Sequence, residues 1–339
     1  MIHYLTHNQI DKQRWDECIA QSPDGNIYSW SWYLDVVHPG WEALAEDDYE
    51  AVMPLTGNKK FGINYLFQPF FTQKFGVFGK KGVSKEKIEQ FLEAIPEKFK
   101  LAEFRIGDTC LNGVNGGTLK GFNGGTLKGF NAINGLKGFK AAAIKDVKAH
   151  RNIELSLSPD YSVIAANYNS NTKRNLAKAQ KQGLQTIENV DPSIIIDLFR
   201  KNRGKEIKHW GDKEYARLLN LIDMAKKHDA CQVLAAQNTD NQIVAGAIFM
   251  ISHNKIVFLF SGSDESNKEN HGLTLLLDDV IKRFCGSDTI LDFEGSDNDG
   301  LARFYKGFGG EEKYYHEIKF NRLNKISNFA LNIFKRNKI

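Results

Sequence analysis

The chain has 339 residues, 42% of them hydrophobic and 25% charged, with a formal net charge of +4. That length suits two compact units at roughly 150 residues each, and that composition excludes a wholly disordered, collagen-like or coiled-coil chain. No apolar run approaches the ~18 residues of a membrane span. Met1 to Trp15 lacks a basic segment leading into an apolar one, so no secretory signal is read. The cysteines Cys18, Cys110, Cys231 and Cys285 are widely scattered and match neither a disulfide framework nor a zinc cluster, which makes a reducing cytoplasm the expected compartment.

In the N-terminal half, Glu50 to Pro54 and Phe61 to Phe67 read as strands flanking a Thr-Gly-Asn-Lys-Lys turn. Ser84 to Phe99 reads as a helix interrupted at Pro96, and Leu101 to Ile106 as a strand. The octamer GGTLKGFN of Gly116 to Asn123 recurs unchanged at Gly124 to Asn131 and is echoed at Asn134 to Lys140. Glycine-rich chain loses much entropy on ordering and brings little apolar area to offset it. A loop over about 108–148 is therefore expected, and it marks a domain boundary.

Beyond the repeat, Asn152 to Leu157 alternates like a strand and Asn171 to Gln182 reads as a basic helix ending at Gly183. Asp191 and Pro192 form a cap and first position for a helix to about Lys201, and Asp212 to Lys227 is a second amphipathic helix. Cys231 to Gln237, Gln242 to Ile251 and Lys255 to Ser261, separated by turn residues, predict an antiparallel meander. A helix from His271 to Phe284, a strand Thr289 to Phe293, a helix Asn298 to Phe308 and a strand Lys313 to Phe320 follow. The order predicts an α/β (α+β) fold with a mixed sheet covered by helices. Expected boundaries are 1–148 for the first domain, 149–324 for the second and 325–339 for a basic amphipathic tail.

Several residues carry candidate chemistry. Asp292 and Glu294 are two apart, so on an extended strand they share a face, and a carboxylate at the strand's open end suits a general base. Glu294, beside the Gly295 turn, is the preferred one; a capping or ion-pairing acid is the structural alternative. Lys173, Arg174, Lys178 and Lys181, followed by Arg200, Lys201, Arg203, Lys205 and Lys208, make a basic run suited to phosphate or an RNA backbone, or simply to a solvated face. The tail carries lysines and arginines interleaved with Ile326, Phe329, Ile333 and Phe334, a pattern compatible with peripheral contact at an anionic membrane or with docking on the protein's own core. No HxH, HExxH or Cys-x-x-Cys neighbourhood, Gly-Lys-Ser/Thr loop or Gly-x-Ser-x-Gly elbow occurs, so no metal is expected, and nothing supplies readout of DNA bases.

The segment Lys255 to Leu277, a hydrophobic strand (KIVFLFSGS) leading through a polar loop into HGLTLLLDDVI, resembles the coenzyme A-binding strand, loop and helix of the GNAT superfamily. The resemblance implies a pyrophosphate held by backbone N–H groups near Ser261, Gly262, Ser263, Lys268, Asn270, His271 and Gly272, with Gly272 permitting close approach. LDFEGS (Leu291 to Ser296) followed by NDGLARFYKGFGG (Asn298 to Gly310) resembles the last GNAT motif. It resembles still more closely the FemAB-like branch, which pairs two GNAT-like domains and in its known members moves amino acids from aminoacyl-tRNA onto a peptidoglycan precursor. SNTKRNLAKAQKQGL (Ser170 to Leu184), IYSWSWYLD (Ile27 to Asp35) and QPFFTQKFGVF (Gln68 to Phe78) extend the resemblance over nearly the whole chain except the repeat.

On that resemblance Tyr305 falls where many GNAT enzymes place a tyrosine that protonates the departing thiolate, while FemAB-type enzymes more often have a lysine, for which the adjacent Lys306 stands. A buried aromatic face of Phe304, Tyr305 and Phe308 is the packing alternative. Lys173, Arg174, Lys178 and Lys306 are the candidate substrate or phosphate contacts. The leading expectation is an acyltransferase using acyl-coenzyme A and an amine or peptide acceptor. The alternatives are a FemAB-like aminoacyltransferase using aminoacyl-tRNA on an envelope precursor, and a non-catalytic binding protein that keeps the fold.

Overall fold

The computed structural model describes residues 1–107, 144–207, 210–264, 270–295 and 297–324. The octamer repeat, the basic tail, Lys208, Lys268 and Ser296 lie outside the described residues. The chain divides into two compact units, Met1–His150 with the chain from Tyr314 onward, and Arg151–Lys313. The second unit thus ends at Lys313 rather than at the expected 324. The reason is pairing: residues 315–321 of the last strand lie antiparallel to residues 101–107 of the first unit.

In the first unit, β1 (Ile2–Leu5), β2 (Glu42–Glu46), β3 (Ala51–Leu55) and β6 (Phe78–Gly79) form one antiparallel sheet in that order. Helices α1 (Lys12–Gln21) and α2 (Ser31–Val37) accompany it, and Trp15 meets Trp41 edge-on at 4.7 Å with both rings fully buried. β4 (Gly57–Lys60) pairs antiparallel with β5 (Ile63–Phe67), which runs parallel to β7 (Phe99–Gly107). Along β7 the chain alternates: Ala102, Phe104 and Ile106 are buried in the core, whereas Glu103 and Arg105 point the other way. Helix α3 (Lys85–Glu93) is shorter than the expected span to Phe99, because Pro96 cannot donate to a continuing helix.

In the second unit the strand order is β8-β13-β12-β11-β10-β9, with β8 Ile144–Ser156 belonging to this unit from Arg151 onward, β9 Gln185–Glu188, β10 Cys231–Gln237, β11 Ile243–Ser252, β12 Lys255–Ser263 and β13 Ile290–Asp292. The meander β10-β11-β12 is antiparallel as predicted, and β12 and β13 are parallel. Six α-helices are assigned among the described residues of this unit: α4 (Tyr161–Ala166), α5 (Ser170–Lys181), α6 (Pro192–Lys201), α7 (Asp212–Lys227), α8 (Gly272–Phe284) and α9 (Asp299–Lys306). The last strand of the chain, β14, spans Glu311–Asn321. Asp191 caps α6, accepting from the Ser193 N–H at 2.9 Å, ahead of Pro192 at the first helical position. Leu276, Leu277, Val280 and Ile281 of α8 join Ala245, Ala247, Phe249 and Leu291 in one core.

Candidate active site

The site begins where two neighbouring strands part. β12 and β13 pair only from Lys255 with Ile290 to Val257 with Asp292. β12 then continues to Ser263 while β13 stops. On its other edge β12 carries a bulge: Phe258 pairs with Phe249 and Phe260 with Ile248, which leaves Leu259 opposite no residue of β11. Leu259 therefore has a register partner on neither side, the kind of re-aimed backbone that bulges place beside functional sites. A cavity of about 510 Å³ occupies the opening, with Leu259, Ser261 and Ser263 on one wall and Phe293, Glu294 and Gly295 on the other.

The end of β13 is built by a local device. Glu294 and Gly295 both adopt left-handed backbone, with φ of 56° and 78°, and turn the chain away from β12. Asp292, 1% exposed, accepts from the Glu294 N–H at 2.8 Å and from Asn152 Nδ2 at 3.0 Å, while Asn152 Oδ1 accepts from the Gly295 N–H at 2.5 Å. The expectation that Asp292 and Glu294 share a strand face is thus corrected. The strand ends between them, so Asp292 is buried inside the turn and Glu294 is delivered to the cavity.

Tyr305 reaches the same cavity from α9, whose N-terminus Asn298 caps by accepting from the Gly300 and Leu301 N–H groups at 2.9 and 3.1 Å. Its ring stacks on Phe293 at 4.7 Å and meets Phe258 edge-on at 6.2 Å. The tyrosine is 8% exposed, and its hydroxyl bonds to no described residue. Burial pushes its pKa up to about 12, the Glu294 carboxylate pushes the same way, and the Arg203 guanidinium opposes them. Tyr305 therefore stays protonated at neutral pH.

Helix α6 and the segment after it close another side. An ideal Cβ on Gly262 would lie 2.2 Å from the Ile195 carbonyl oxygen and 2.9 Å from the Phe199 nitrogen, so α6 rests directly on β12 there. Asn202 ties this contact by donating to the Ser263 carbonyl at 2.8 Å. Phe199, Trp210 and Phe260 form an aromatic wall, Trp210 lying stacked over Phe260 at 6.1 Å. Arg203 lines the cavity with its side chain exposed and forms no hydrogen bond or ion pair with any described residue.

Of the residues predicted from sequence, Tyr305, Glu294, Ser261, Gly262, Ser263, Asn270 and His271 line this cavity. Lys268 is outside the described residues. The others are held elsewhere. Gly272 lies under Ala245 and Ala236, which an added Cβ would meet at 2.7 and 3.0 Å, and its N–H donates to Asn270 Oδ1 at 2.9 Å. Lys306 pairs with Glu312 at 2.5 Å, Lys173 donates to the Ala166 carbonyl at 2.8 Å, and Arg174 donates to Asn171 at 2.5 Å. Lys178 lies on α5, which sends Asn175 rather than its basic stripe to the cavity. Leu259, Arg203, Trp210 and Asn175 were not assigned to the site from sequence. The bulge and the segment after α6 that present the first three leave no local mark, although Arg203 falls within the basic run and Trp210 is the lone tryptophan of its unit.

The first unit holds a cavity of its own, about 720 Å³, lined by Phe70, Phe71, Arg105, Glu317 and Lys319 among others. Glu317, 5% exposed, lies 2.9 Å from Lys319 Nζ and 3.5 Å from both His150 Nε2 and Arg105 Nε. The His150 imidazole beside it, reinforced by Lys319, holds its carboxyl at about 2.

A parting strand pair, a bulge and a terminal helix-strand unit, preceded by a second α/β unit, define the GNAT/FemAB-like fold, and this chain has it. Among solved structures it is similar to FemX, at 13% identity over 97% of this chain and 99% of that one, with a TM-score of 0.64. It is similar also to a conserved protein of unknown function from Bacteroides thetaiotaomicron (11% identity, 92% and 96% covered, TM-score 0.58) and to L-PGS from Bacillus licheniformis (10%, 96% and 96%, 0.52). No family model matches the sequence. No curated protein matches it either. Among the described residues no helix is long and apolar enough to cross a membrane.

Proposed function

We propose that the chain is an acyltransferase that moves an acyl group from an activated carbonyl to an amine within the second unit. The observation that carries this reading is the convergence of Glu294 and Tyr305 on the opening between β12 and β13. The acyl carbonyl sits in the opening, where the unpaired Leu259 backbone is the candidate to donate to the developing oxyanion. Glu294 takes the proton of the attacking amine, and Tyr305 gives one to the leaving group.

The fold resemblance nominates acyl-coenzyme A as donor. Two observations favour an oxygen ester such as aminoacyl-tRNA instead. The Gly272 N–H and the space above Gly262, where the pyrophosphate was expected, are taken by Asn270 and by Ile195. A tyrosine near 12 is also a poor match to a thiolate near ~8.5 and a better one to a more basic alkoxide.

The test is turnover of purified chain with an amine pool, offered acyl-coenzyme A thioesters in one arm and charged tRNA in the other. Transfer in either arm that Glu294→Gln suppresses supports acyl transfer, and the productive arm identifies the donor. No transfer in both arms overturns the reading and leaves a binding protein.

A further inference from the structure

The acceptor can be narrowed from the cavity's own chemistry, an inference that rests on the acyl-transfer reading above. Arg203 is a guanidinium at the cavity without an ion-pair partner among the described residues. Glu294 lines the same space, and both groups act on the Tyr305 hydroxyl with opposite sign, so a cation and a carboxylate face one small volume. Beside them stands the wall of Phe199, Trp210 and Phe260, whose centroids are 4.7 to 6.1 Å apart. A guanidinium recognises a carboxylate, a carboxylate recognises an ammonium, and an aromatic wall recognises an apolar group.

We propose that the acceptor is an α-amino acid with a large apolar side chain. Its carboxylate is held by Arg203, its amine faces Glu294, and its side chain lies against Trp210 and Phe199. One carbon separates amine and carboxylate in such a molecule, which suits two opposite charges that share one small space. A simple alkylamine leaves Arg203 unused, and a small hydrophilic amino acid leaves the aromatic wall in water. In the reaction the amine nitrogen attacks the donor carbonyl carbon; a C–N bond forms as the bond from carbonyl carbon to the leaving oxygen or sulfur breaks. The acceptor binds as its ammonium and first loses one proton to solvent by way of Glu294; on attack the nitrogen's second proton goes to Glu294, the leaving group takes the Tyr305 proton, and return of a proton from Glu294 to Tyr305 through solvent restores both groups.

Calorimetric titration of the full chain without any donor tests this with three probes: L-phenylalanine, phenethylamine, which lacks the carboxylate, and L-alanine, which lacks the ring. L-phenylalanine is expected to bind about 10-fold or more tightly than either of the others, the scale of one charge-assisted hydrogen bond or one buried ring. Arg203→Gln is expected to lower the L-phenylalanine affinity about 10-fold and to leave phenethylamine and the melting temperature unchanged. Equal binding of phenethylamine and L-phenylalanine, absence of L-phenylalanine binding, or indifference to Arg203→Gln overturns the assignment. Acyl transfer to phenethylamine but not to L-phenylalanine also overturns it while leaving acyl transfer intact. Binding of L-phenylalanine with transfer from no donor upholds the amino-acid site and overturns the acyl-transfer reading instead.

Discussion

Tyr305 and Phe293 stack with ring centroids 4.7 Å apart and planes 15° from parallel. The ring is thereby fixed by packing and the hydroxyl is left free for chemistry, which separates the two roles. Tyr305→Phe keeps the stack and removes only the oxygen. Turnover is expected to fall roughly 100-fold or more, the usual scale for a lost general acid, with an unchanged melting temperature. Unchanged turnover would return Tyr305 to the aromatic face alone.

Glu294 occupies left-handed backbone at the strand end, and its side chain is the carboxylate that acts on Tyr305. Glu294→Gln retains size and hydrogen bonding but cannot take a proton. A fall in kcat of about 100-fold with KM little changed is expected, because the lost interaction belongs to the transition state. A rise in KM at constant kcat would make Glu294 a binding residue.

Gly262 holds α6 against β12 through backbone atoms, which cannot swing aside as a side-chain tip does. Gly262→Ala should therefore cost about 1–3 kcal/mol in urea unfolding. It should also disturb the cavity, since Phe199 and Asn202 move with α6. A variant as stable and as active as the parent would show that α6 sits on the sheet more loosely than this contact implies.

Asp278 is fully buried in α8 and accepts from the Tyr161 and Tyr168 hydroxyls at 2.8 and 3.0 Å, with Lys282 Nζ at 2.6 Å. Burial and this carboxylate both hold Tyr168 protonated, well above the ordinary tyrosine range. Asp278→Ala leaves the buried Tyr168 hydroxyl and the half-buried Tyr161 hydroxyl without their acceptor and releases the exposed Lys282 ammonium, and a loss of about 1–3 kcal/mol is expected. Chemical denaturation of the variant checks it; a cost within the range of surface substitutions would contradict the linkage.

Glu317 titrates near 2 in the folded chain, against ~4.3 for an unperturbed glutamate. A depressed folded pKa contributes stability that is complete above the unfolded value and is lost as pH falls through the folded one. The first unit should accordingly weaken between about pH 4.3 and 2. Near-UV circular dichroism, sensitive to Tyr315 stacked on His150 at 5.2 Å, reads this transition. In Glu317→Gln the melting temperature should be lower at neutral pH and should change less across that interval.

The sequence by itself determined the alternation and caps of the second unit: the meander, the Asp191-Pro192 helix start and the α7 span of Asp212–Lys227 all follow from local period and local hydrogen bonding. It also singled out Glu294, as an acid beside a glycine turn, and Tyr305, through the resemblance of its helix to the last GNAT motif. What only the tertiary structure decided is where the strand Ile290–Asp292 stops, which glycines face a helix rather than open space, and that Arg203 and Trp210 meet Tyr305 in one cavity. Those facts depend on contacts between segments far apart in the chain, such as Asn152 with Asp292 and Ile195 with Gly262. Periodicity reports a residue's neighbours along its own element, and it carries no information about the element that packs against it.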